Sequence, residues 1–213
     1  GTRTGMQEAY RMGADIAVKI DADNQWSPDD IEKTIQPILS NEADVVFGSR
    51  FLAGYSGYNA KQFNMVFARK WGNKIFPWIL TKLTGLKVTD ATTGLIAFGR
   101  KYLANFEIIS DYNETQQLII DSWGRHMRVI EVPCSFKPRK TGKSFISWKY
   151  LRKVPISMLR MMIVAAPLRI FIPLSLFFFL LSLLATAMVV VGQTIIFGKT
   201  AMLIFFFTSL QIL

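Results

Sequence analysis

The 213-residue chain predicts an α/β domain followed by membrane-directed helices, and three observations carry that expectation. Short apolar strands alternate with amphipathic helices as far as Pro133, the order that builds a sheet with its site at the strand ends. After Glu131 there is no Asp or Glu at all, although ten Lys and Arg follow. Ile170 to Val191 then gives 22 residues without a charge, about 33 Å as a helix and enough to cross a bilayer.

The elements follow in order. Ala9, Tyr10 and Met12 fall at helical spacing and Gly13 stops that helix. Ile16, Val18 and Ile20 alternate as a strand. Ser27-Pro28-Asp29-Asp30 starts the next helix with a hydroxyl cap, an early proline and acids at the positive end of the dipole. Ile31, Ile35, Ile38 and Leu39 share one face of it, which predicts packing on a sheet. Asp44 to Phe47 is a second strand, leading into Gly48-Ser49-Arg50-Phe51. Ala53 to Asn59 is a Gly- and Tyr-rich loop, and Phe63 to Leu83 has helical period with Arg69, Lys70, Lys74 and Lys82 on it. Asp90 to Gly94 is a polar turn and Leu95 to Phe98 a strand. A helix over Asn113 to Trp123 and a last alternating strand over Met127 to Pro133 precede a basic loop, Lys137 to Ser144. Trp148 to Arg169 mixes aromatics and bases as an interfacial helix does, and a second apolar stretch after Gly198-Lys199 predicts the return helix of a hairpin.

Charge locates the partner. Residues 1 to 131 hold 15 basic and 15 acidic residues, so the net +10 lies entirely in the later part. That excess runs straight into apolar sequence, which favours a membrane surface over nucleic acid. Nine of the ten late bases precede the first apolar span, so the positive-inside rule places the α/β domain in the cytoplasm. Cys134, the single cysteine, excludes an internal disulfide and reads as a buried small residue. The chain opens at Gly1 without an initiator methionine and ends within an apolar run at Leu213, so the expectation is a fragment.

The chemistry begins where the first strand ends. Asp21 and Asp23 set two hard oxygen donors one residue apart at a strand terminus, close enough to share a divalent cation whose other positions take phosphate oxygens. A bare polar turn has the same pattern, so the neighbouring motifs matter. Arg50 follows a strand and Gly48-Ser49, which favours phosphate contact over a surface ion pair. Lys143-Ser144 lacks the earlier glycine of a Walker motif. The lone His126, beside Arg125 and Arg128, reads as a surface residue.

DADNQ, GSRF, DATTG and PRKTGKS occur in this order, and on them the chain resembles family 2 glycosyltransferases, in particular the polyprenyl-phosphate branch of dolichyl-phosphate mannose synthase and bacterial undecaprenyl-phosphate sugar transferase type. The match runs from about Gly1 to Ser144, with Leu95 a mild departure where the family often has Phe. The resemblance implies a glycosyltransferase A, Rossmann-like fold lacking its N-terminal strand with a Pro-x-Tyr-Asn-Glu type motif and a later acidic pair. It implies Mg²⁺ or Mn²⁺ on Asp21 and Asp23, with Asp23, Arg50 and Asp90 as catalytic residues. Gln25, Ser49, Thr92, Thr93, Gly94, Arg139, Lys143 and Ser144 would line the substrates. Glu114 would either bind sugar hydroxyls or be an exposed helix acid.

The expected reaction is inverting transfer of a hexose from a UDP- or GDP-sugar to a polyprenyl phosphate, dolichyl or undecaprenyl. The expected organisation is a partial catalytic domain over 1–146, a juxtamembrane helix over 147–169 and a transmembrane hairpin over 170–213. That makes a multi-pass membrane protein without a nucleic-acid partner, its state as monomer or homo-oligomer open. Two other readings stay open: a family 2 enzyme acting on a glycan or cell-wall acceptor, and a non-catalytic membrane scaffold on the same fold.

Overall fold

The protein is seen in a computed structural model that describes residues 1–52, 67–109, 114–135, 137, 148–190 and 195–212. It divides into two compact units, Gly1–Met161 and Met162–Leu213.

The first unit is built on four strands, β1 (Ile16–Ile20), β2 (Val45–Ser49), β3 (Leu95–Gly99) and β4 (Val129–Pro133), in the order β1-β3-β2-β4. β3 runs antiparallel to both β1 and β2, whereas β2 and β4 are parallel. The register lays Val18, Ala97, Val46 and Ile130 in one row across the sheet. Ile35 and Ile38 of helix α2 (Asp29–Leu39) cover that row, as the period of the helix requires. Leu39 is the exception, 62% exposed at the last turn. On the other face the next row reads Lys19, Ile96, Phe47 and Glu131. Burial there is carried by β2 and β3, which are buried throughout.

Helix α1 (Thr2–Arg11) precedes β1. Helix α3 (Phe67–Thr84) covers the later part of the Phe63–Leu83 stretch expected from period and runs one residue past it, while residues 63–66 and the predicted loop at 53–59 fall outside the described residues. A short α4 (Arg100–Leu103) follows β3 directly and escapes the sequence reading, because four residues show no period. Helix α5 (Glu114–Gly124) is buried from Thr115 to Ser122. It ends in a left-handed turn at His126, φ 55°, where the imidazole is exposed. Ser27 does not cap α2: its hydroxyl donates to the Asp29 carboxylate at 3.3 Å, and Pro28 already has helical dihedrals. β2 extends to Ser49, past the expected end at Phe47.

Helix α6 (Trp148–Ala165) buries Val154, Met158 and Met161 and leaves Ile156 and Leu159 half exposed. The division between the compact units falls inside it.

The second unit contains α7 (Pro167–Val190) and α8 (Ile195–Ile212), which pack against each other. Ser175 donates to the Ser209 carbonyl at 2.8 Å and Ser182 to the Met202 carbonyl at 3.1 Å, so the two helices run antiparallel. Among the described residues one helical stretch, Pro167–Met188, is long and apolar enough to cross a membrane; Thr200–Ile212 is shorter. Leu176, Phe177, Leu180, Leu183 and Leu184 of α7 are exposed, unlike the residues of a soluble core helix.

Candidate active site

The antiparallel placement of β3 sets the start of that strand beside the ends of β1, β2 and β4. Three loops therefore meet at one edge of the sheet: Asp21–Trp26 after β1, Arg50–Phe51 after β2, and Thr89–Gly94 before β3.

The ladder between β1 and β3 continues one step beyond the strands, the Asp21 amide donating to the Gly94 carbonyl at 3.0 Å. Gly94 must lack a side chain: a Cβ there would lie 2.2 Å from Asp21 Oδ2 and 2.8 Å from Trp26 Nε1. The glycine thus makes the recess in which the Asp21 carboxylate sits. Lys19 shares that side of the strand and places Nζ 2.9 Å from Asp21 Oδ1 and 3.7 Å from Glu114 Oε1. Asp23 shapes the turn itself, its Oδ1 accepting from the Gln25 amide at 3.3 Å while Asn24 takes the left-handed conformation, φ 58°.

Gln25 does not face an open cleft. It is 9% exposed, its Nε2 donates to the Lys137 carbonyl at 3.1 Å, and its own carbonyl accepts from the Lys137 amide at 2.7 Å. Nearby, fully buried Asp30 accepts from the Ser135 amide at 2.8 Å and from Lys33 at 2.7 Å. The segment that leads into the basic loop is thereby tied to the Asp-x-Asp turn. Arg139, Lys143 and Ser144 of that loop lie outside the described residues.

Arg50 is held on several sides. Its Nε and Nη2 donate to Asp90 at 2.6 and 2.7 Å, and Nη2 also reaches Thr92 Oγ1 at 2.6 Å. The guanidinium lies 5.9 Å from the Trp26 ring centre and 5.3 Å from that of Phe51. With Arg50 12% and Asp90 1% exposed, this is a desolvated fork pair whose geometry fixes both members. Arg50 was expected to meet phosphate; the structure commits two of its three nitrogens to Asp90 and Thr92.

Ser49 and Thr93 are turned inward. Ser49 is fully buried against Thr89 Oγ1 at 2.6 Å, and Thr93, 1% exposed, bonds the Leu95 backbone and receives the Thr115 hydroxyl on its carbonyl at 2.9 Å. Both shape the loops rather than offer a surface to substrate. Thr92 is part exposed and borders the Arg50 pair. Glu114 stands at the start of α5, neither free nor fully exposed, 3.7 Å from Lys19.

Sequence reasoning missed Glu131. It accepts from the Thr89 amide at 2.9 Å and the Asp90 amide at 3.1 Å, and burial pushes its carboxyl above the usual Glu range. The available signal was an acid in the middle of the alternating strand Val129–Pro133, at a position paired with buried Phe47. Cys134 is buried, and burial pushes its thiol up to about 12, so it is no nucleophile at neutral pH.

Among the described residues no group of three or more His, Cys, Asp or Glu gathers to hold a metal ion. Asp21 and Asp23 nonetheless suit a hard divalent ion, which keeps several positions for water and phosphate and needs only one or two protein carboxylates. The Gly94 recess and the ammonium already drawn to Asp21 fit that chemistry.

The description "Glycosyl transferase family 2" matches residues 4–106. A UDP-N-acetylglucosamine–dolichyl-phosphate N-acetylglucosaminyltransferase of Methanococcus voltae is 38% identical over 139 residues, covering 62% of this chain and 52% of that protein. An undecaprenyl-phosphate mannosyltransferase of Micrococcus luteus is 28% identical over 154 residues, 69% of this chain and 58% of that protein. A dolichol-phosphate mannosyltransferase of Pyrococcus furiosus is 30% identical over 159 residues, 70% of this chain and 42% of that protein. The chain spans about half the length of these curated relatives. The stretch from α1 through α4, residues 4–106, therefore carries the match to glycosyltransferase family 2.

Proposed function

We propose that the chain is part of a membrane-bound inverting glycosyltransferase that moves a hexose from a UDP- or GDP-sugar to a polyprenyl phosphate, dolichyl or undecaprenyl. The observation that carries this reading is the meeting of Asp21, in its glycine-made recess, with the Arg50–Asp90 pair at one edge of the sheet. The printed activities of the relatives agree with it.

In this reading the lipid phosphate oxygen attacks the anomeric carbon as the bond to the nucleoside diphosphate breaks. That oxygen is ionised near neutral pH, so no general base is needed, which fits a site without His. Two anions must instead be brought together. Asp21 and Asp23 would hold Mg²⁺ or Mn²⁺, which supplies Lewis-acid stabilisation of the departing diphosphate. Arg50, aligned by Asp90 and the two rings, presents fixed positive charge, and Asp90 with Thr92 and Gly94 borders the sugar. Gln25 holds the approach to the basic loop, from which Arg139, Lys143 and Ser144 would meet a phosphate. One displacement inverts the anomeric centre, so an α-linked donor gives a β-linked lipid product.

The acceptor lies in a bilayer, which gives the apolar helices their purpose. In this proposal 1–146 is the partial catalytic domain, 147–169 the juxtamembrane segment and 170–213 a transmembrane hairpin of a multi-pass protein. The exposed apolar surface of α7 supports the span. The bases ahead of it support a cytoplasmic catalytic domain, each adding about 1 kcal/mol of attraction to an anionic leaflet.

The test is to incubate the intact protein with labelled UDP- and GDP-sugars and a short polyprenyl phosphate, then analyse the lipid extract. A β-linked sugar phosphate lipid is the expected product. Label in a glycan and none in lipid phosphate would support the glycan-directed reading instead. Label in neither acceptor would leave the scaffold reading standing.

A further inference from the structure

We propose that Glu131 is the positioning residue for Arg50, acting through Thr89; this rests on the function proposed above. Glu131 lies in mid-strand on β4, in a row with Ile96 and Phe47, both buried almost completely. A carboxylate in such a row is retained only against bound donors. Its donors all come from two consecutive residues: the Thr89 amide, the Thr89 hydroxyl and the Asp90 amide. The side chain that follows the last of these amides is the carboxylate that grips Arg50.

The hydroxyl hydrogens link the same carboxylate to the other flank of Arg50. A threonine hydroxyl carries one hydrogen, and Thr89 gives its hydrogen to Glu131. The 2.6 Å contact between Ser49 Oγ and Thr89 Oγ1 must then be donated by Ser49. Ser49 Oγ in turn accepts from the Phe51 amide at 3.2 Å. Phe51 amide, Ser49, Thr89 and Glu131 thus form one chain of hydrogen bonds pointing the same way, and chains so aligned reinforce one another. Glu131 is its terminal acceptor. It therefore sets Asp90 on one side of the guanidinium and, through Ser49, Phe51 on the other, whose ring lies 5.3 Å away. An amide in place of the carboxylate turns one acceptor into a donor aimed at Thr89, and the chain loses its direction.

The experiment uses the intact protein with E131Q, T89V, R50K and the double variant E131Q/R50K. It reads kcat and KM for the nucleotide sugar, and hydrogen exchange at the Thr89 and Asp90 amides. The expected result for E131Q is a kcat lower by about 10–100-fold, as for other residues that orient a site group, with KM nearly unchanged and faster exchange confined to that turn. T89V shows the same split more weakly. E131Q/R50K is expected to be little worse than R50K alone, since both changes act on one unit. Wild-type kcat in E131Q, or losses that multiply in the double variant, would overturn the proposal. If E131Q does not fold, T89V decides by the same kcat-against-KM criterion. If the wild-type protein transfers no sugar, the function proposed above fails, and the exchange data judge Glu131 separately: faster exchange at Thr89 and Asp90 upholds it as the group that positions the pair, and unchanged exchange overturns it.

Discussion

Two arginine–aspartate pairs close the two ends of the same parallel strands, β2 and β4, and the contrast between them separates a structural device from a site. Where the strands begin, Asp44 accepts from the Arg128 amide at 2.8 Å and from Arg128 Nη2 at 2.9 Å, with Lys101 at 3.4 Å. Arg128 is 46% exposed and its other contacts go to Asn41. Where the strands end, Arg50 is 12% exposed, and its partner comes from a distant loop. Each is a forked ion pair of the same chemistry. The first joins two strand starts directly and has water on one side. The second is roofed by aromatic rings, backed by Thr89 and Glu131, and adjoins the recess that holds Asp21. Surroundings rather than pairing mark the site.

The largest effect expected from breaking this contrast belongs to the carboxylates beside the second pair. D21N or D23N should lower sugar transfer by about 10²–10³-fold, the scale on which charge stabilisation in a transition state is lost, with the melting temperature nearly kept; transfer assays and thermal unfolding check both. G94A comes next. Its new Cβ would meet both the Asp21 carboxylate and Trp26 Nε1, which must shift together, so stability falls by about 1–3 kcal/mol while transfer falls by about 100-fold.

The two arginines then give a direct comparison. R50K should cost about 10–100-fold in kcat, since lysine cannot reproduce a fork held on two sides, whereas R128K should leave kcat near wild type and lower the melting temperature. D44N should act on stability alone, by about 2 kcal/mol for hydrogen bonds to a charged group, seen as a melting shift of about 5 °C.

The smallest effect is a pH dependence. The Arg128 side chain holds the Asp44 carboxyl down at about 2, below its ordinary 3.8. Because the folded value is the lower one, the stabilisation is present above the ordinary value and is lost as pH falls through about 2. Acid unfolding of the wild type should therefore steepen below pH 4, and D44N should lack that component.

Much of the sheet was legible from the apolar alternation over Ile16–Ile20 and from the short apolar run Leu95–Phe98, bounded by Gly94 and Gly99. The edges of the site were legible for the same reason: Asp21, Arg50 and Gly94 each stand one step from a strand end. Inward or outward direction was not. Ser49 and Thr93 read as substrate groups because they are polar and near the motifs, yet burial turns their hydroxyls to Thr89 and to the backbone. The pairing of Arg50 was not legible either, since the carboxylate that grips it lies 40 residues away in sequence. Glu131 hid inside a strand pattern where only the register with Phe47 shows that its face is covered. Gln25 is bonded to a segment 112 residues on, a distance at which spacing carries no information.

The most direct measurement is transfer of labelled sugar into polyprenyl phosphate by wild type, D21N/D23N, R50K and R128K side by side, with and without Mn²⁺. Metal-dependent transfer that survives in R128K, drops in R50K and vanishes in D21N/D23N is the predicted result. Equal losses in the two arginine variants, or transfer that persists in D21N/D23N, would contradict the placement of the active site at this end of the sheet.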